Sequence, residues 1–124
     1  MQPKKFSIKE RFKSFTYAWG GVKLLFQSEH NTIIHLVLTV IAVVAGFMLS
    51  ISRIEWIALI IVIAMVWTAE LFNTAIEKTM DFITKERLLQ IKLIKDVAAA
   101  AVLITAIAAV VVGLLIFIPK IISL

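Results

Sequence analysis

Three long apolar runs fix what this chain can become. They cover about residues 32–50, 54–76 and 97–118, and each has close to the ~20 residues needed to cross the hydrocarbon of a bilayer as a helix. Backbone polar groups in hydrocarbon must be satisfied within their own segment, so the runs are expected to be helices. A chain of 124 residues with 61% hydrophobic residues has more apolar surface than a soluble domain of this size can hide. Its mean hydropathy of +1.01 agrees. The expected fold class is all-α, a single membrane domain over 1–124 with three transmembrane helices.

Residues 6–28 differ from the runs that follow. Ile8, Phe12, Phe15, Trp19, Val22 and Phe26 recur at spacings of three and four and share one helix face, with Lys9, Glu10, Lys13 and Ser14 elsewhere. An amphipathic helix lying in the membrane interface is expected, with Gly20 and Gly21 interrupting it. The first 31 residues lack the short apolar core of a cleavable signal, so the apolar runs are expected to persist in the mature protein. A short turn near Ser50–Arg53 joins the first two spans, a polar loop over 78–96 joins the last two, and Pro119 closes the third.

Charge placement gives orientation. Lys4, Lys5, Lys9, Arg11, Lys13 and Lys23 precede the first span, and Lys78, Lys85, Arg87, Lys92 and Lys95 lie in the 78–96 loop, leaving Arg53 and Lys120 for the opposite side. The N-terminus and the long loop are therefore expected on the cytoplasmic side. The net charge of +5 sits beside apolar spans, which fits anionic lipid as partner and argues against nucleic acid. With no cysteine, disulfides, thiolate metal sites and cysteine nucleophiles are excluded. Phosphate-binding and hydrolase signatures such as GxxxxGK[ST], GxGxxG, HExxH and GxSxG are absent.

The end of the second span carries acids where they are costly. Glu70, Asn73, Glu77 and Asp81 fall within about 80° of one another on a helical wheel, with Leu71, Phe72, Ile76 and Met80 on the other face. An acid near the bilayer centre costs roughly 2.5–3.5 kcal/mol, which makes such residues functional candidates. Glu70 lies about 10 Å deeper than Glu77 along the axis. Glu29-His30-Asn31 and Lys95-Asp96 stand at the level of Glu77 by the topology above, although Asp96 also suits a helix N-cap. Carboxylates near the surface suit Mg²⁺, which binds through one or two acids plus phosphate oxygens. Lys95 can screen phosphate charge, and Glu70 can take a proton from a lipid hydroxyl. His35 reads as a polar contact within the bundle, and Trp19, Trp56 and Trp67 as interface or packing aromatics. On residues alone, the acids also suit a non-catalytic membrane subunit held together by hydrogen bonds, or a small cation carrier.

Ala69-Glu70-Leu71-Phe72-Asn73-Thr74-Ala75-Ile76-Glu77 with Asp81, Lys95-Asp96-Val97-Ala98-Ala99, Ala18-Trp19-Gly20-Gly21 and Ser28-Glu29-His30-Asn31 together resemble the small prokaryotic diacylglycerol kinase family, which includes undecaprenol kinases, over nearly the whole chain. The resemblance implies a homotrimer in the bacterial inner membrane with active sites shared between protomers. It implies transfer of the ATP γ-phosphate to a lipid hydroxyl with Mg²⁺, making phosphatidic acid from diacylglycerol or undecaprenyl phosphate from undecaprenol. By the same resemblance Glu70 is the catalytic base and Glu29 and Glu77 hold the metal. Tyr17, Glu29, Asn73, Glu77, Glu86, Lys95 and Asp96 would surround ATP. Arg11, Ser14, Trp19, Glu70 and Ala99 would contact the lipid. Two departures stand out: Arg11 is out of register with the family's usual arginine, and Ala100 replaces a common glycine. Phe12-x-x-Phe15-x-x-Ala18 and Glu29-x-Asn31-x-x-x-His35 look more like the undecaprenol kinase branch.

Overall fold

The computed structural model describes residues 2–124; residue 1, the first of the expected 1–124 domain, lies outside them. Four helices follow in order: α1 Ile8–Ser28, α2 Asn31–Met48, α3 Arg53–Ile83 and α4 Leu89–Ile122. No strand occurs among the described residues. α2, α3 and α4 are each long and apolar enough to cross a membrane, and most of their large aliphatic side chains face outward. That pattern is what a lipid solvent selects, because outward apolar surface costs nothing there. The chain is an integral membrane protein.

The helix starts follow from capping. Ser7 Oγ accepts the Glu10 N–H at 3.4 Å at the head of α1. Ser52 and Glu55 form a reciprocal capping box at the head of α3: Ser52 Oγ accepts the Glu55 N–H and Glu55 Oε1 accepts the Ser52 N–H. These bonds satisfy amides that the first helical turn leaves without partners. Ser50, at φ 51, closes the tight α2–α3 corner in the left-handed conformation. Beside it Ile51, Leu59 and Ile116 form a small core with Trp56 packed against it, and Lys120 reaches Glu55 at 3.4 Å.

Gly46 is required at this corner. A Cβ there would meet the Trp56 ring at 2.7 and 2.9 Å and Ile51 Cδ1 at 3.2 Å. Trp56 is itself tilted against Phe47, so the ring has little room to retreat. Gly46→Ala is expected to destabilise the fold by roughly 1–3 kcal/mol, the usual cost of overpacking. Thermal unfolding in detergent would show it as a lower Tm, and an unchanged Tm would contradict this packing.

Several expectations need correction. The segment 78–96 is not a loop: α3 runs on to Ile83 and α4 begins at Leu89, leaving only residues 84–88 between them. Polarity marks exit from the membrane, not the end of a helix, and the Lys, Glu, Leu and Ile residues here are good helix formers. At 1.5 Å per residue, the 31 residues of α3 and 34 of α4 span about 46 and 51 Å, well beyond the ~30 Å hydrocarbon core. Asp96 is therefore not an N-cap but lies inside α4; the cap position is Leu88, which offers no side-chain bond. Pro119 does not close α4, which continues to Ile122, because proline near the last turn forfeits only a single backbone bond. Gly20 and Gly21 do not interrupt α1, which passes through both. On α1, Phe12, Phe15 and Trp19 are all more than half accessible.

Candidate active site

The site grows from one face of α3. Leu59, Val62 and Val66 are buried on it, and the same face continues through Glu70, Asn73 and Glu77 at spacings of four, three and four. The apolar half packs; the polar half, one turn at a time, faces α1 and α2. Glu70 and Asn73 are buried, Glu77 is partly buried and Asp81 is exposed, so the stripe runs from protein interior to surface.

The α1–α2 corner brings the second acid. Glu29 caps α1 in an extended conformation, its N–H donating to Leu25 O at 3.1 Å. Thr32, wholly buried, donates its hydroxyl to the same carbonyl at 3.3 Å. Leu25 and Thr32 thus lock the corner, and the locked corner sets the Glu29 carboxyl near that of Glu77, close enough for the two to act on each other. Asn73 Nδ2 donates to Glu77 Oε1 at 3.3 Å. Two carboxylates so placed repel unless a positive charge joins them. Asn73 Oδ1 and Thr74 Oγ1 are buried without a hydrogen-bond partner among the described residues.

Deeper in α3, Glu70 Oε1 meets His35 Nε2 of α2 at 2.7 Å. One turn further along both helices, Trp67 Nε1 donates to Thr39 Oγ1 at 3.1 Å, and the Trp67 ring lies 5.7 Å from that of Phe26. The sequence reading of His35 as a bundle contact holds but missed its partner. Thr32, His35 and Thr39 fall on one face of an otherwise apolar helix, and that polar stripe was the available signal. Beside His35 and Thr39 opens an apolar cavity of about 410 Å³, walled by residues such as Ala42, Val62, Val66 and Ala109.

Outside the membrane level, Lys95 bonds Asp81 at 2.8 Å and Lys92 bonds Asp96 at 2.6 Å. These pairs border an open cleft of about 800 Å³ that also takes in Lys85, Glu86 and Arg87. Glu86, Lys95 and Asp96 border one cleft; Lys95 is bonded to Asp81 and is also near enough to Glu77 for its charge to act on that acid. The remaining candidates lie on α1 and α4. Arg11 lies over the Phe6 ring, Ser14 donates back to Glu10 O, and Tyr17 and Trp19 are exposed along α1. Ala99 is exposed on α4 beside buried Ala98.

The Glu29–Glu77 pair one side of Asn73, the buried Glu70 on the other, and a cationic cleft beyond form a graded polar path along one helix. A family model described as prokaryotic diacylglycerol kinase matches residues 16–117. The chain belongs to the prokaryotic diacylglycerol kinase family. It is 38% identical over 109 residues to an undecaprenol kinase of Bacillus subtilis, covering 88% of this chain and 89% of that protein. It is also 38% identical over 112 residues to a diacylglycerol kinase of Synechocystis, covering 90% of this chain and 64% of that protein. The family match includes every acid of the path but begins after Arg11 and Ser14.

Proposed function

We infer that this lipid kinase transfers the γ-phosphate of ATP to the hydroxyl of a membrane lipid at the Glu29–Glu77–Glu70 path, and that Mg²⁺ assists. The observation that carries this reading is the depth order of the acids: facing carboxylates near the surface and a buried carboxylate one to two turns below. The donor set fits the metal. Glu29 and Glu77 offer hard oxygen ligands, as suits an ion that binds through one or two carboxylates and completes its shell with phosphate oxygens and water. Mg²⁺ bound there supplies neutralisation of phosphate charge.

The chain's own groups supply the rest. Glu70 accepts the proton as the lipid O–H bond breaks, the new bond forms from that oxygen to the γ-phosphorus, and the bond from the γ-phosphorus to the bridging oxygen breaks to release ADP. The apolar cavity beside His35 suits the lipid chain next to the base. Lys95, Asp96 and Glu86 border the cleft that suits the nucleotide, where Lys95 would exchange Asp81 for phosphate. The basic residues of the N-terminus and of 78–96 support a cytoplasmic position for this end of the molecule, where ATP is, and the family resemblance supports a bacterial inner membrane. Three spans give too few walls to close a charged site from lipid, which favours self-association, and the family resemblance supports a homotrimer.

Undecaprenol is the preferred acceptor, because the relative of matching length is named for it; diacylglycerol is the second, from the Synechocystis relative. Purified full-length protein in bicelles, given labelled ATP, Mg²⁺ and either lipid, is expected to yield labelled lipid phosphate, more with undecaprenol, and none after chelation. Absence of labelled product with both lipids would overturn the reading.

A further inference from the structure

An acid inside a membrane helix needs something to hold it. The Glu70 side chain is only 6% exposed, and its polar contact among the described residues is His35 Nε2, 2.7 Å from Oε1. That contact engages Oε1 alone. The contact fixes Oε1, which leaves Oε2 as the carboxylate oxygen without a partner among the described residues.

The anchor is itself held. α2 touches α3 sparingly compared with the long α3–α4 contact. Its polar attachments to α3 are the His35–Glu70 bridge and, one turn on, the Trp67–Thr39 bond. Thr39 also donates its hydroxyl to His35 O at 2.7 Å, so the turn of α2 that carries the imidazole is bonded on its own helix and across to α3. Outward burial adds little to this in a membrane, since lipid tails are as apolar as the side chains they touch. The imidazole is partly accessible at the mouth of the apolar cavity, so it borders the space proposed for the lipid.

We propose that His35 is the positioning residue of the base: its Nε2–H donates to Glu70 Oε1 and so turns Oε2 toward the lipid hydroxyl. The proposal rests on Glu70 being the base. A charge-assisted bond of this length is about twice as strong as a neutral one and fixes the carboxylate plane. Partners that orient a metal ligand through one such bond typically matter 10–100-fold, and the same scale is expected for a partner that orients a base.

The test uses the full-length protein in bicelles with labelled ATP and undecaprenol. His35→Leu, which keeps the bulk and removes the donor, is expected to lower kcat about 10–100-fold while leaving KM for ATP nearly unchanged. His35→Gln, which restores an N–H donor, is expected to recover most of the lost rate. Full kcat in His35→Leu, or a Gln variant as poor as the Leu variant, would overturn the proposal. A measurement that leaves His35 itself unchanged is ¹⁵N NMR of labelled histidine, with the unmoved His30 signal showing that the Glu70 variant keeps its fold. Glu70→Gln is expected to move the His35 Nε2 resonance and leave that of His30 in place; an unmoved His35 signal would also overturn it. If Glu70→Gln itself keeps full activity, the base assignment fails instead, whatever the His35 variants do.

Discussion

Glu70→Gln is expected to lower kcat by about 10²–10⁴-fold, the usual contribution of a positioned general base. The amide has nearly the volume of the carboxylate and can still accept from His35 Nε2 through its oxygen, so the 2.7 Å bridge has a replacement. What the amide lacks is a site for the proton leaving the lipid hydroxyl. KM for ATP should stay close to its original value, because Glu70 lies about 10 Å along α3 from Glu77. Removing a charge from a side chain with 6% exposure also removes a desolvation cost, so Tm in detergent should hold or rise. Initial rates of lipid phosphorylation at saturating Mg²⁺ check the first point and thermal unfolding the second. A variant within twofold of the original rate would end the role assigned to Glu70.

Glu77→Gln is the second large effect, and it differs in kind. Glu77 faces Glu29 and accepts from Asn73, so the amide keeps the Asn73 bond and loses half of the facing charge. Orienting partners around a metal already matter 10–100-fold, so loss of a direct ligand should cost more than about 100-fold in kcat/KM. The loss should be partly recovered by raising Mg²⁺, which Glu70→Gln should not show. Glu29→Gln should behave alike, and the double variant should be little worse than either single one, because the two acids act as a unit. The stability response points the other way: relieving like-charge contact should leave Tm unchanged or higher. An active Glu77→Gln, or one whose defect ignores Mg²⁺, would separate this acid from the metal.

The site was legible in part because one helix carries most of it. The spacing of Glu70, Asn73, Glu77 and Asp81 fixes a stripe by helical geometry alone, and the structure puts that stripe on the face that Leu59, Val62 and Val66 bury. Glu29 was reachable only through the topology, since its meeting with Glu77 depends on the corner that Leu25 and Thr32 close. The partner of His35 was out of reach for the same reason: periodicity orders residues within a helix and is silent about which faces dock. The 78–96 segment misled because its charges were read as loop, when helices that leave a membrane can continue in water. That misreading also made Asp96 an N-cap, eight residues inside the real start. On α1, Arg11, Ser14 and Tyr17 came from resemblance rather than from any pattern, and the fold leaves them exposed.

The two bridges that tie α2 to α3 set an uneven tolerance along that helix. Exchanging one oily residue for another on its outer surface trades a tail contact for a tail contact and moves no equilibrium. Sliding the helix by a single residue is another matter: it swings each polar side chain about 100° around the axis and parts both couplings together. Sequence drift on the outer surface of α2 should therefore be free among aliphatic residues, while the helix stays tightly bound in phase, with insertions and deletions excluded between residues 30 and 39 long before aliphatic swaps are.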